Sequence, residues 1–141
     1  MVRHHDSEIS HLDPTTIGAA TQTLNAMKEM AVSIVYAALL TDDGFEIVHL
    51  QGSTTNGDRF ASISSSIQAL GDAVARELRI GSSEYIIIAS DLGHVIQLRV
   101  DSSDIVLVAL FDTGETLGKA LSITRLSARH MSELLARARK P

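Results

Sequence analysis

The chain has 141 residues, a formal net charge of −5, 45% apolar residues and no Cys. That length supports one globular unit whose core needs no disulfide or structural metal, and the missing Cys excludes disulfides, thiolate chemistry and Cys zinc sites. An acidic balance and only 4% aromatic residues argue against a general nucleic-acid binder, which carries a basic stripe and stacking rings.

Residues 1–12 are polar and His-bearing and read as a flexible N-terminal arm; 13–141 read as a single domain. The arm contains no signal-peptide apolar region, and no run in the chain approaches the ~18 apolar residues of a membrane span. The expected home is the cytoplasm. Asp13-Pro14 is a helix start, with Asp as N-cap and Pro at the first helical position. Ile17, Ala20, Leu24, Met27 and Ala31 then share a face, so the first helix runs to about Met30. Residues 32–41 form an apolar strand buried on both sides, Asp42-Asp43-Gly44 a hairpin turn, and 45–50 the return strand. A polar loop at 51–57 follows.

Residues 60–79 form a helix with two faces, capped by Asp58 and ended by Gly81 as its C′ residue. At about 100° per residue, Phe60, Ile63, Ile67, Leu70, Val74 and Leu78 make one apolar stripe. The other face carries Ser62, Ser65, Ala69, Ala73 and Arg76, mostly small residues that let another backbone approach. The expected arrangement puts the apolar stripe on the chain's own core and the small-residue face on a second subunit. Under that reading, Ala69→Glu separates the subunits.

Tyr85-Ile86-Ile87-Ile88 lies in the next strand, and Asp91-Leu92-Gly93 is a turn. From 94 to 100, Val95, Gln97 and Arg99 alternate with Ile96, Leu98 and Val100, giving one polar and one apolar face. A turn at 101–104 leads to a fifth strand at 105–111. The last helix starts near Glu115, with Leu117, Ala120, Leu121, Thr124, Ala128, Met131, Leu135 and Ala138 in one stripe. Its last 17 residues carry +4 and the other 124 carry −9. Cations suit a helix C-terminus, and such a tail can also touch an acidic partner or a membrane surface. The order α-β-β-α-β-β-β-α, with short loops between paired strands, predicts an α+β fold with an antiparallel sheet.

Catalytic motifs are missing. No Gly-rich phosphate loop, G-x-G-x-x-G or G-x-S-x-G elbow occurs. His4, His5 and Asp6 make a poor metal frame on a loose arm; His11, His49, His94 and His130 lack ligand partners at suitable spacing. Asp42-Asp43, Asp91 and Asp112 fit turn chemistry, and Ser64-Ser65-Ser66 has no base beside it. No enzyme activity, cofactor or metal is expected.

From 32 to 121 the chain resembles the roadblock / dynein light-chain family. The strand-turn-strand entry matches Ala38-Leu39-Leu40-Thr41-Asp42-Asp43-Gly44-Phe45-Glu46-Ile47-Val48. The Ala/Ser-rich central helix matches Ala61-Ser62-Ile63-Ser64-Ser65-Ser66-Ile67-Gln68-Ala69-Leu70-Gly71. The second hairpin matches 87–96, the last strand Val106-Leu107-Val108-Ala109-Leu110, and the helix entry Leu117-Gly118. The resemblance implies a roadblock/profilin-like five-stranded antiparallel sheet with helices on both faces. It also implies a homodimer, or a heterodimer with a sister chain, through packed central helices and paired third strands. The interface it implies takes in Ser62, Ser65, Ser66, Ala69, Asp72, Ala73, Arg76, Tyr85, Ile86 and Ile87.

Family members bind small Ras-like GTPases, and some stimulate GTP hydrolysis. The expected function is a non-enzymatic regulatory or scaffold module for such a GTPase. Alternatives are a small-ligand-sensing domain and an adaptor subunit indifferent to nucleotide. Arg76 reads better as a dimer or helix-surface contact than as an arginine finger.

Overall fold

The computed structural model describes residues 13–50 and 57–139. The arm at 1–12, with His4, His5, Asp6 and His11, lies outside them, as does the loop at 51–56. Helix α1 (Pro14–Met30) is followed by strands β1 (Ile34–Thr41) and β2 (Glu46–His49) and helix α2 (Gly57–Glu77). Strands β3 (Ile86–Ser90), β4 (Gly93–Arg99) and β5 (Ile105–Phe111) precede helix α3 (Leu117–Ala138). The five strands form one antiparallel sheet in the order β2-β1-β5-β4-β3. This is the α+β architecture expected from the element order.

Strand alternation sends two sets of side chains to opposite faces. Leu39, Ile96, Leu107 and Ala109 belong to the larger core, with Leu24 and Met27 of α1 and Ala128 and Met131 of α3. Ala20 and Ala120 are fully buried there, and small residues let the two helices sit close to the sheet. Thr23 Oγ1 lies 3.5 Å from Met131 Sδ and ties α1 to α3. The smaller core, on the other face, joins Tyr36, Ala38, Leu40 and Val108 to Ala61 of α2. Phe60 meets the Tyr36 ring edge-on with centroids 5.3 Å apart.

Burial, and next the negative charge of Glu46, push the Tyr36 phenol above its ordinary value of 10.0. The unfolded chain gives up that proton first as pH rises, so this contribution to stability is present below pH 10 and lost above it. Denaturation midpoints are expected to fall between about pH 9 and about pH 11, and Tyr36→Phe is expected to flatten that slope.

Local chemistry explains the helix ends. Asp13 caps α1, accepting from Thr16 N at 3.2 Å and from Thr16 Oγ1 at 2.8 Å. The Thr16 hydroxyl holds the Asp13 carboxyl below its usual range. Helix α3 begins at Leu117 rather than near Glu115, because Thr116 Oγ1 accepts from Lys119 N at 3.2 Å and caps it.

The end of α2 departs from the sequence expectation. Arg79, not Gly81, takes the left-handed C′ position, with φ +55°. Arg79 N donates to Arg76 O at 3.2 Å and Ile80 N to Ala75 O at 3.0 Å, the two bonds of a Schellman motif. Gly81 is also left-handed, two residues later. A side chain at φ > 0 is strained, so Arg79→Gly is expected to stabilise the protein by about 1 kcal/mol. A urea midpoint that does not rise would contradict this.

Candidate functional site

Helix α2 does not present its apolar stripe to the sheet. Its buried residues are Ala61, Ser64, Gln68 and Ala75. Ile63, Leu70, Val74 and Leu78 are 45%, 66%, 47% and 62% exposed, while Phe60 and Ile67 are half-buried. This corrects the sequence expectation that the stripe packs on the chain's own core. The physical reason is the sheet surface beneath the helix. Strand β4 offers Gln97 and Arg99 to that side, and these select polar partners from α2.

The resulting contact is a hydrogen-bonded chain. Ser64 Oγ donates to Gln97 Oε1 at 2.6 Å, and Gln97 Nε2 donates to Ser64 O at 3.0 Å and Gln68 Oε1 at 3.1 Å. Gln68 Nε2 reaches Asp72 Oδ1 at 3.4 Å. Arg99 Nη2 donates to Asp72 Oδ2 at 3.3 Å and lies 3.6 Å from Asp42 Oδ2. Gln97 is 2% exposed, and its polar groups are satisfied rather than stranded. Sequence reading missed this network. Its signal was a match of periods: Ser64, Gln68 and Asp72 every four residues on the helix, Gln97 and Arg99 every two on the strand.

The displaced apolar stripe lies beside β3, an edge strand that among the described residues pairs with β4 alone. Gly71 permits the approach: a Cβ there would lie 2.8 Å from Ile86 Cδ1. Between helix and edge runs an open groove of about 660 Å³, lined in part by Ile67, Leu70, Val74, Ile80, Tyr85 and Ile86. Ile80 is exposed, as are Tyr85 and Ile88. Such a strand edge beside an apolar helix is a template for another chain.

The sequence-predicted residues fall into two groups. Tyr85 and Ile86 line the groove with the apolar stripe. Ile87 is half-buried and packs against the larger core. Ser62, Ser66, Ala69 and Arg76 are exposed, and Ser65, Asp72 and Ala73 are half-buried. Ser65 Oγ donates to Asp42 O at 2.7 Å, so this flank of α2 turns toward the β1–β2 turn. Asp72 is held by Gln68 and Arg99 in the network.

Among the described residues no group of three His, Asp or Glu side chains could hold a metal, and no helix is long and apolar enough to cross a membrane. The sheet is covered on both faces, and an apolar helix stripe lies beside the β3 edge. The family model for the Roadblock/LC7 domain matches residues 15–111, and the chain belongs to that family.

Solved structures agree on the fold. The gliding protein MglB of Thermus thermophilus is 17% identical, with a TM-score of 0.75 over 85% of this chain and 90% of that one. Myxococcus xanthus MglB is 14% identical, with a TM-score of 0.78 over 89% and 93%. A Roadblock/LC7 domain from Streptomyces avermitilis is 14% identical, with a TM-score of 0.70 over 79% and 93%. No curated protein sequence matches this chain.

Proposed function

We propose that the protein is a non-enzymatic dimeric module that binds a small Ras-like GTPase and modulates its hydrolysis of GTP. The observation that carries the reading is the continuous apolar surface formed by the α2 stripe and the free β3 edge. A second copy, or a sister chain, covers it by strand pairing at β3 and helix packing at α2. Tyr85, Ile86 and Ile87 then sit at the joined edge. The other flank, with Ser62, Ser66, Ala69, Ala73 and Arg76, stays open on the helix layer and is the surface offered to the GTPase. Ser65 and Asp72 brace that flank from behind. Membership of the Roadblock/LC7 family and the fold shared with MglB support this assignment.

No side chain of the module enters the chemistry in this reading. Any rate effect comes from repositioning the GTPase's own switch loops, a shift that requires different affinity for their two states. The mass in solution, measured alone and with a candidate GTPase in GDP and GTP-analogue forms, tests it. A dimer that gains the GTPase in one nucleotide state is expected. A dimer that ignores nucleotide would make the protein an adaptor, and a monomer without a partner would overturn the reading.

A further inference from the structure

A second concavity lies on the α3 side of the segment 82–84, which it shares with the apolar groove. The β3–β4 ladder starts at the Ile86–Gln97 pair, so Leu98 and Arg99 have no strand partner on that edge. The gap opens as a cleft of about 520 Å³ between the segment 82–84, the end of β4 with its turn, and α3. Its volume falls within the ~300–1,000 Å³ of small-molecule sites. Unlike the groove, this cleft is polar. Arg125 and Arg129 project from consecutive turns of α3, with buried Ala128 between them leaving room. Ser82, Ser83 and Ser102 supply hydroxyls to the same space.

The cleft is held in shape. The Arg125 guanidinium sits 5.8 Å from the centroid of the Tyr85 ring, a cation–π contact that fixes its position. Ser132 Oγ donates to Asp101 O at 3.3 Å, pinning the turn against α3, and Ser103 Oγ donates to Val100 O at 2.8 Å within the turn. Ser102 takes φ +60° in that turn. Like charges four residues apart on a helix repel. Yet among the described residues neither Arg125 nor Arg129 forms an ion pair. Arg99 also lines the cleft but spends its charge on Asp72 and Asp42.

We propose that this cleft binds the phosphate group of a small phosphorylated ligand through Arg125 and Arg129. Two planar guanidinium forks and adjacent hydroxyls match a compact tetrahedral anion with several acceptor oxygens. Glu84 and Asp101 line the same cleft. They cancel any broad positive field, so a diffuse polyanion gains little, while a compact phosphate placed on the forks gains fully. The site stands independently of the GTPase reading, and its segment 82–84 also borders the groove that a second copy would cover.

Calorimetric titration of the full chain with inorganic pyrophosphate at low ionic strength tests the assignment. Saturable binding is expected, weakened roughly tenfold or more by Arg129→Gln, since hydrogen bonds to charged groups are the strong ones. Arg137→Gln, outside the cleft on the same helix, is expected to leave binding unchanged. A nucleoside diphosphate titrated in parallel separates the sources of the phosphate. Tighter binding than pyrophosphate assigns a nucleotide, and equal binding assigns the phosphate group alone. No saturable heat at millimolar pyrophosphate overturns the proposal, as does equal weakening by Arg129→Gln and Arg137→Gln.

Discussion

Leu70→Asp is expected to convert the proposed dimer to a monomer without unfolding it. Leu70 is 66% exposed on the isolated protomer, so the change removes no core packing. Exposed substitutions of this kind usually stay within about 0.5 kcal/mol of the parent stability. The same side chain lies mid-stripe, in the groove beside β3. A central apolar anchor contributes roughly 2–4 kcal/mol to association, and a carboxylate buried there adds a desolvation cost. The dissociation constant should therefore rise about 30-fold or more, at 1.4 kcal/mol per factor of ten. Sedimentation or light scattering reads the change directly. Ala69→Glu is the informative companion, because Ala69 sits on the small-residue flank. Separation at Leu70 alone assigns the dimer to the apolar stripe. Separation at Ala69 alone returns it to the face first read from the sequence, and a wild-type mass in both variants removes α2 from the interface.

The second large effect is expected at Gln97. Replacing it by Leu deletes three hydrogen bonds and leaves the Ser64 hydroxyl and the Gln68 carbonyl without the partner they share. A buried polar group left unsatisfied costs about 1–3 kcal/mol, so a loss of roughly 2–4 kcal/mol is expected in urea denaturation. Adding Ser64→Ala should recover part of that loss, because removing both partners costs less than removing one. Failure to recover any of it would show that shape, not hydrogen bonding, sets the value of this contact. The network also sets the orientation of α2. With Ser64, Gln68 and Asp72 committed to β4, the helix can only turn its apolar stripe outward.

The order of elements was legible because local signals agreed with one another. Asp13-Pro14 marks the start of α1, the Asp42-Asp43-Gly44 turn separates β1 from β2, and alternation along 94–100 gives β4 to within one residue at each end. Helix α2 opens at Gly57, so Asp58 lies in its first turn rather than capping it as the sequence predicts. At Thr116 the deciding feature is a side-chain oxygen accepting from Lys119 N, at Arg79 a pair of backbone bonds, and composition reports neither.

Sequence alone determined that an aliphatic core would be built by an antiparallel sheet and three helices, and that the central helix has two unlike faces. Periodicity reports that two faces exist, but it carries no information about which one meets the sheet. That was decided in the tertiary structure, where Gln97 and Arg99 make the underside of α2 polar and the outer edge of β3 has no neighbour among the described residues. The hydrophobic rule that apolar stripes face inward yields there to a satisfied polar contact, and the stripe becomes surface. The arginine cleft follows the same logic. Arg125 and Arg129 are an ordinary helix pair in sequence, and the early end of the β3–β4 ladder makes them the wall of a site.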